Sequence, residues 1–191
     1  MGPLRSKTLM KQKQIAALWL AFIGGLFLIA LFGTLWFKQV YVGWLLESVT
    51  DSNEFVTQWQ AALDENESIQ HPAVIHHLQD DCLCRVLTLK HASQITLDAM
   101  ETGYSVYQLN TATVGLGNSI HLKSALEDVV SPLIIITNQT GRIAYIGAYS
   151  DGIRCNTGTS MVESFISSIQ NLPVRPVVGL DVESCRCEGA K

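Results

Sequence analysis

The sequence is short of charge: only 16% of its 191 residues are Asp, Glu, Lys or Arg, while 48% are hydrophobic. Soluble domains carry roughly a quarter charged residues. Part of the chain is therefore expected to lie outside a globular core. Positive charge is scarcest, with a net charge of −4 and no basic stripe or aromatic–basic interleaving, so nucleic acid is not an expected partner. There is no Gly-rich phosphate loop to cradle a nucleotide. Nor can a Ser-His-Asp or paired-carboxylate arrangement be argued. Asp51, Glu54, Asp64, Glu65 and Glu67 read as caps and solvated faces, which speaks against a general hydrolase. No motif implies a cofactor, and none is expected.

What is present begins with the long apolar run from Ile15 to Phe37, 23 consecutive residues without charge. About 20 such residues span a hydrocarbon core as a helix. A cleaved secretion signal has a shorter apolar stretch and a small-x-small site, whereas this run ends in bulky Leu35, Trp36 and Phe37. An uncleaved anchor is expected. Arg5, Lys7, Lys11 and Lys13 precede it and only Lys38 follows closely. The positive-inside rule then leaves the N-terminus in the cytoplasm and the remainder outside, in the periplasm of a Gram-negative cell.

The expected organisation is a basic cytoplasmic tail over 1–14, a transmembrane helix over 15–37, a juxtamembrane segment with an amphipathic helix over 38–71, and an α/β domain with a cysteine-containing tail over 72–191. In the juxtamembrane segment Tyr41 and Trp44 suit headgroup anchors. Asp51 or Ser52 can cap a helix carrying Phe55, Val56, Trp59, Ala62 and Leu63 on one face. Beyond Pro72, a strand over Ala73 to Leu78 leads to a cysteine pair. A helix from Arg85 to Met100 is favoured, with Val86, Leu89, Ser93, Leu97 and Met100 on its inner face. Tyr104 to Leu109 alternates as a strand; a Thr- and Gly-rich loop to Asn118 and a short helix over His121 to Val129 follow. PLIIIT, NQTG and RIAYIGAY read as strand, turn and strand, a hairpin. Ser160 with Glu163 forms a capping box for a last helix bearing Val162, Phe165, Ile166 and Ile169.

Five cysteines in this length give about 0.1 pairs at i, i+2 by chance, yet there are two: Cys82 with Cys84, and Cys185 with Cys187. Cys155 makes the number odd. A disulfide within C-x-C closes almost no loop and stabilises little, so a redox couple is a better use of the pair than a staple within itself. At a strand end opening a helix, the thiolate of Cys82 is favoured by the helix dipole and unpaired N–H groups, and by Arg85; Asp80 and Asp81 oppose it. Cys155 is expected to bond one tail cysteine and tether the C-terminus, leaving the other tail thiol as a relay, the alternative being a strained Cys185–Cys187 ring.

The strand, the cysteine pair at a helix start, and Ser131-Pro132 opening the apolar hairpin SPLIIITNQTGRIAYIGAY resemble the thioredoxin-like superfamily over about residues 72 to 172. The whole layout is similar to a membrane-anchored branch of that superfamily in Gram-negative bacteria, with extra cysteines near the C-terminus. The resemblance implies an α/β thioredoxin-like fold and a cis-proline at Pro132 beside the active-site cysteines, with Ser131 pairing with an extended substrate. It further implies a single-pass inner-membrane protein with a periplasmic domain acting on protein thiols or disulfides. Cys82 would be the nucleophile and Cys84 the resolving thiol. The pair departs from the family's C-x-x-C preceded by Trp, being C-x-C preceded by two Asp.

Two other classes compete with exchange. Thiolates two apart can share a soft ion such as Cu(I) or Zn(II), with His76, His77, His91 or His121 supplying nitrogen, although adjacent His76 and His77 point to opposite faces of a strand. Alternatively the domain is a non-catalytic interaction module, with Phe55 and Trp59 at a partner surface.

Overall fold

The computed structural model describes residues 4–80, 82–109, 115–123, 130–152 and 157–187. It divides into two compact units, Met1–Val40 and Tyr41–Lys191. The first is the greater part of α1 (Leu4–Tyr41), a helix of 38 residues. Its stretch Gln14–Tyr41 is long and apolar enough to cross a membrane, and none of it is buried within the protein. The helix overruns the apolar run at both ends because Lys11, Gln12, Lys13 and Gln14 before it and Lys38 and Gln39 after it are good helix formers.

The second unit is a mixed α/β structure around a six-stranded sheet. In chain order its elements are β1 (Val42–Trp44), α2 (Ser52–Asp64), β2 (Ala73–His77), α3 (Leu83–Thr102), β3 (Ser105–Leu109), β4 (Asn118–Ile120), β5 (Leu133–Thr137), β6 (Ile143–Gly147), α4 (Glu163–Ser167), β7 (Val177–Gly179) and β8 (Glu183–Cys185). The strands lie in the order β4-β3-β2-β5-β6-β7. β2 and β3 are parallel, joined by α3 as crossover, and β5 runs antiparallel to both β2 and β6. The expected hairpin is thus in place. Its turn is closed by the Asn138 carboxamide oxygen, which accepts from the N–H groups of Thr140 and Arg142.

Because β2, β5 and β6 are buried on both faces, alternate residues feed two cores. Ile75, Leu133 and Ile135 face one cluster with Phe55, Trp59 and Leu63 of α2. Val74, Ile134 and Ile136 face the other, with Ala92, Ile95 and Ala99 of α3 and Ile166 of α4. Asp51 caps α2 as its sequence position implies, accepting from the N–H groups of Asn53 and Glu54 at 2.7 and 3.1 Å. Gln60 fastens α2 to the hairpin, donating to the Gly141 carbonyl and accepting from the Ile143 N–H. Phe55 and Trp59 are buried, so they form core and not a partner surface.

Several expectations are corrected. The inner face of α3 is built from Cys84, Thr88, His91, Ala92, Ile95, Thr96 and Ala99. Val86, Leu97 and Met100 are instead 65%, 60% and 57% exposed. Ala92, Ile95 and Ala99 pack in one cluster with Val74, Ile134 and Ile136 of the sheet, and this face, not the larger apolar stripe, meets the core. The Ser160–Glu163 capping box does not form: α4 begins only at Glu163, with Val162 at the cap position and no side-chain cap bond. Ser160 falls too early to cap and bridges Ser150. His121 to Lys123 is not helical, and the remainder of the short helix expected to Val129 lies outside the described residues. The juxtamembrane stretch carrying Trp44 forms β1, which pairs antiparallel with β8: Val42 with Cys185, Gly43 with Ser184, Trp44 with Glu183.

Candidate four-cysteine site

Cys82 is the N-cap residue of α3 and Cys84 lies in its first turn. Cys185 ends β8 and Cys187 lies two residues on. The structure joins Cys82 to Cys187 and Cys84 to Cys185, with Cα–Cα separations of 5.9 and 5.5 Å, ordinary values for disulfides. The bridges differ in burial. Cys84 and Cys185 are fully enclosed and Cys82 nearly so, whereas Cys187 is partly exposed. There is thus an inner bond and an outer one. The sulfurs of Cys82, Cys84 and Cys187 all lie within 4.8 Å of one another.

Cys82 and Cys84 lie close together but are each bonded to a tail cysteine and not to each other. A C-x-C ring is strained, while each cysteine here finds a partner at an unstrained Cα separation across the fold. Cys84 is engaged by Cys185, so it is not free to resolve Cys82. The tail cysteines bond the first pair and not Cys155, which lies outside the described residues.

The tail is held by backbone as well as by sulfur. The N–H of Arg186 donates to the Tyr41 carbonyl and that of Cys187 to the Ser131 carbonyl, both at 2.8 Å. Ser131 and Cys187 form an antiparallel bridge. The Ser131–Pro132 peptide is cis, and the Ser131 hydroxyl accepts from the Gln79 N–H at 3.0 Å. Both therefore lie beside the outer bond. Arg186 reaches the Trp44 carbonyl and Glu47 at 3.2 and 3.6 Å. A Cβ on Gly43 would meet its guanidinium at 2.8 Å, so the bare glycine leaves it room. Arg85 pairs with Asp80, which spends part of its charge away from Cys82.

The histidines are placed otherwise. His76 Nδ1 meets the Tyr149 hydroxyl at 2.7 Å and Nε2 the Thr96 hydroxyl at 3.0 Å. Burial lowers its pKa to about 3. His77 points to the opposite face, its ring 6.1 Å from that of Trp59. Among the described residues it has no hydrogen-bond partner, and burial lowers its pKa to about 4. His91 is buried and lowered for the same reason. Among the described residues the metal-competent group is Cys82, Cys84 and Cys187, and no histidine joins it.

Residues 52–189 match a family described as a domain of unknown function, DUF6436. The chain belongs to the DUF6436 family. The match covers both cysteine pairs and Ser131-Pro132 and begins after the apolar helix, so the site lies within the DUF6436 domain. No curated protein and no solved structure matches the chain.

Proposed function

We propose that the chain is a membrane-anchored thioredoxin-like protein that exchanges thiols and disulfides with extracytoplasmic proteins through Cys82, its exchanging bond being the outer one to Cys187. The thioredoxin-like assignment is supported by the β2-α3-β3 crossover followed by the antiparallel β5-β6 hairpin and α4, with the cysteine at the start of α3 and Pro132 at the head of β5. The single observation that carries the functional reading is the unequal burial of the two bonds. Exchange needs in-line access of a thiolate to a sulfur. Only Cys187 offers it, and the sulfur it would release sits at a helix N-terminus that stabilises a thiolate.

In the reducing direction for the domain, a partner thiolate attacks Cys187 Sγ, breaking the S–S bond and leaving Cys82 as thiolate. The partner's second thiolate then attacks the mixed disulfide and releases the Cys187 thiolate. Two electrons pass to the domain and the partner leaves as a disulfide. In reverse, the Cys82 thiolate attacks a partner disulfide and Cys187 resolves the mixed species. The part first expected of Cys84 thus falls to Cys187. Ser131, whose carbonyl now receives the Cys187 N–H, is the proposed backbone contact for a partner segment. Leu83, Val86 and Leu87 form an exposed apolar rim on the first turns of α3, of the sort that receives protein partners.

The inner bond is read as a structural clasp. It is fully buried and joins positions 101 residues apart, a loop long enough to constrain the unfolded chain strongly. Lysine and arginine before the apolar run and the disulfides themselves favour a cytoplasmic N-terminus and an oxidising compartment for the domain, the periplasm of a bacterial inner-membrane protein.

The test is covalent trapping by the full chain in cells. Cys187→Ser leaves Cys82 without its resolving partner and should accumulate adducts that a reductant releases, while Cys82→Ser/Cys187→Ser should accumulate none. Absence of adducts, or adducts persisting in the double variant, would overturn exchange through Cys82.

A further inference from the structure

The outer and inner disulfides lie against each other, and what holds their four sulfurs together is not the disulfides alone. β8 is paired to β1, and the N–H groups of Leu45, Arg186 and Cys187 donate to the carbonyls of Val182, Tyr41 and Ser131 at 3.2, 2.8 and 2.8 Å. These bonds do not depend on the oxidation state of sulfur. Opening both disulfides therefore leaves four thiols facing one another across the start of α3.

We infer that Cys82, Cys84, Cys185 and Cys187, once reduced, form a closed tetrathiolate site for a single Zn(II) ion. With Zn–S near 2.3 Å, the sulfurs of a tetrahedral site stand about 3.8 Å apart. Three of the four already lie within 4.8 Å of one another, and the fourth, Cys185, is bonded to Cys84, so closing the tetrahedron draws the three sulfurs together and moves Cys185 in beside them. The donor set fits Zn(II), which takes four thiolates in structural sites and needs no open position. The surroundings fit too. A tetrathiolate around a divalent ion carries net negative charge, and here it meets the N-terminal end of the 20-residue α3, which has no acidic side chain in its first turn; Asp80 and Asp81, just before Cys82, oppose it, and Asp80 is offset by its pairing with Arg85. Cys82 makes no side-chain cap bond, so first-turn N–H groups are available to a thiolate there. Cys84 and Cys185 are fully buried, which shields half of the site from water and competing ligands.

The chemistry balances with a dithiol as reductant. Two dithiols reduce two disulfides, passing four electrons and four protons to the cysteines and leaving as two disulfides. Zn(II) then displaces the four thiol protons, so affinity rises with pH. Reoxidation by two partner disulfides, which take up four electrons and four protons and leave as two dithiols, re-forms the two bonds and releases the Zn(II) ion, making the site a clasp when oxidised and a metal clamp when reduced. This rests on the proposed exchange only in that an external dithiol must open the outer bond; the freed Cys82 or Cys187 thiolate, beside the inner Cys84 sulfur, then opens the inner bond by exchange and is itself reduced by the second dithiol.

The experiment uses the full chain in detergent, reduced anaerobically with a dithiol and desalted. Zn(II) alone is added, and metal content and thiol alkylation are read by mass spectrometry. One ion per chain is expected, with Cys82, Cys84, Cys185 and Cys187 all protected from alkylation while Cys155 is modified as before. The oxidised chain should bind none. In Cys185→Ser, Cd(II) added in place of Zn(II) should give a thiolate charge-transfer band reduced by a quarter, and Cys155→Ser should leave the band unchanged. Less than one ion per chain, or metal bound with the tail cysteines still alkylated, would overturn the site. The trapping experiment above needs no metal, so a zinc failure beside successful trapping removes only the metal site. Zinc binding without trapping removes only the exchange.

Discussion

The backbone N–H of Cys187 donates to the carbonyl of Ser131 at 2.8 Å, and this one pairing decides where the outer disulfide can form. It lays the tail antiparallel to the chain entering β5 and brings the Cys187 sulfur to the head of α3, within reach of Cys82. The inner bond then follows from the two-residue period of an extended strand, which turns Cys185 to the same side as Cys187.

The two bonds should be strongly non-additive in stability. They join positions 105 and 101 residues apart, so either alone closes nearly the whole loop, and the second then closes only a small ring. Cys82→Ala/Cys187→Ala or Cys84→Ala/Cys185→Ala should each cost well under the roughly 4–5 kcal/mol expected when all four cysteines are removed, by loop-closure entropy. Urea unfolding of the full chain in detergent, followed by near-ultraviolet circular dichroism, measures all three. Equal and additive losses would show that the bonds act on local packing instead.

Stability should fall with acid through two buried histidines. His76 and His77 have folded pKa values of about 3 and about 4, below the unfolded value near 6.5. The unfolded chain therefore binds more protons below that pH. Their stabilisation is complete above pH about 6.5 and is lost as the pH drops toward 4, at up to about 2.7 kcal/mol per pH unit for two protons. Among the described residues His77 has no hydrogen-bond partner to lose, so His77→Leu should remove about one proton from the slope. An unchanged slope would mean that His77 is not neutral in the folded state.

Gly147→Ala should loosen the tail. A Cβ there would stand 2.5 Å from the Gly179 Cα on the paired strand, too close for backbone to accept. Overpacking of this sort costs about 1–3 kcal/mol. Because β7 leads directly into β8 and the tail cysteines, faster alkylation of Cys187 after mild reduction should accompany the loss. Unaltered alkylation with lowered stability would separate β7 from the site.

The domain should be accessible from outside the cytoplasmic membrane. Protease added to spheroplasts should digest residues beyond Tyr41, and removal of 1–40 should release the chain from the membrane fraction. Protection until lysis would place the domain on the other side.

Much of this was legible in the sequence where the signal is local. The apolar run, the β5-β6 hairpin with its Asn138 turn, the Asp51 cap and the cysteine pair at the head of α3 each follow from a few neighbouring residues. The buried face of α3 was not legible, because Thr88, His91 and Thr96 are polar and gain their place from close packing and from partners elsewhere, such as His76 for Thr96. Nor was the tail. β1 and β8 are three residues each and pair from opposite ends of the domain, so neither has a period long enough to read. The matched C-x-C spacings were the available clue: two pairs with the same interval suit a ladder of two bonds. Yet four cysteines allow three connectivities, and the choice between them needed the Ser131–Cys187 pairing.

The most direct test is a redox titration of the full chain in detergent, with differential alkylation and mass spectrometry assigning each cysteine at each potential. The Cys82–Cys187 bond should open first and reversibly while Cys84–Cys185 stays closed, with no Cys82–Cys84 species at any potential. Opening of both bonds together only on unfolding, or a Cys82–Cys84 disulfide as the first oxidised species, would contradict exchange through the outer bond.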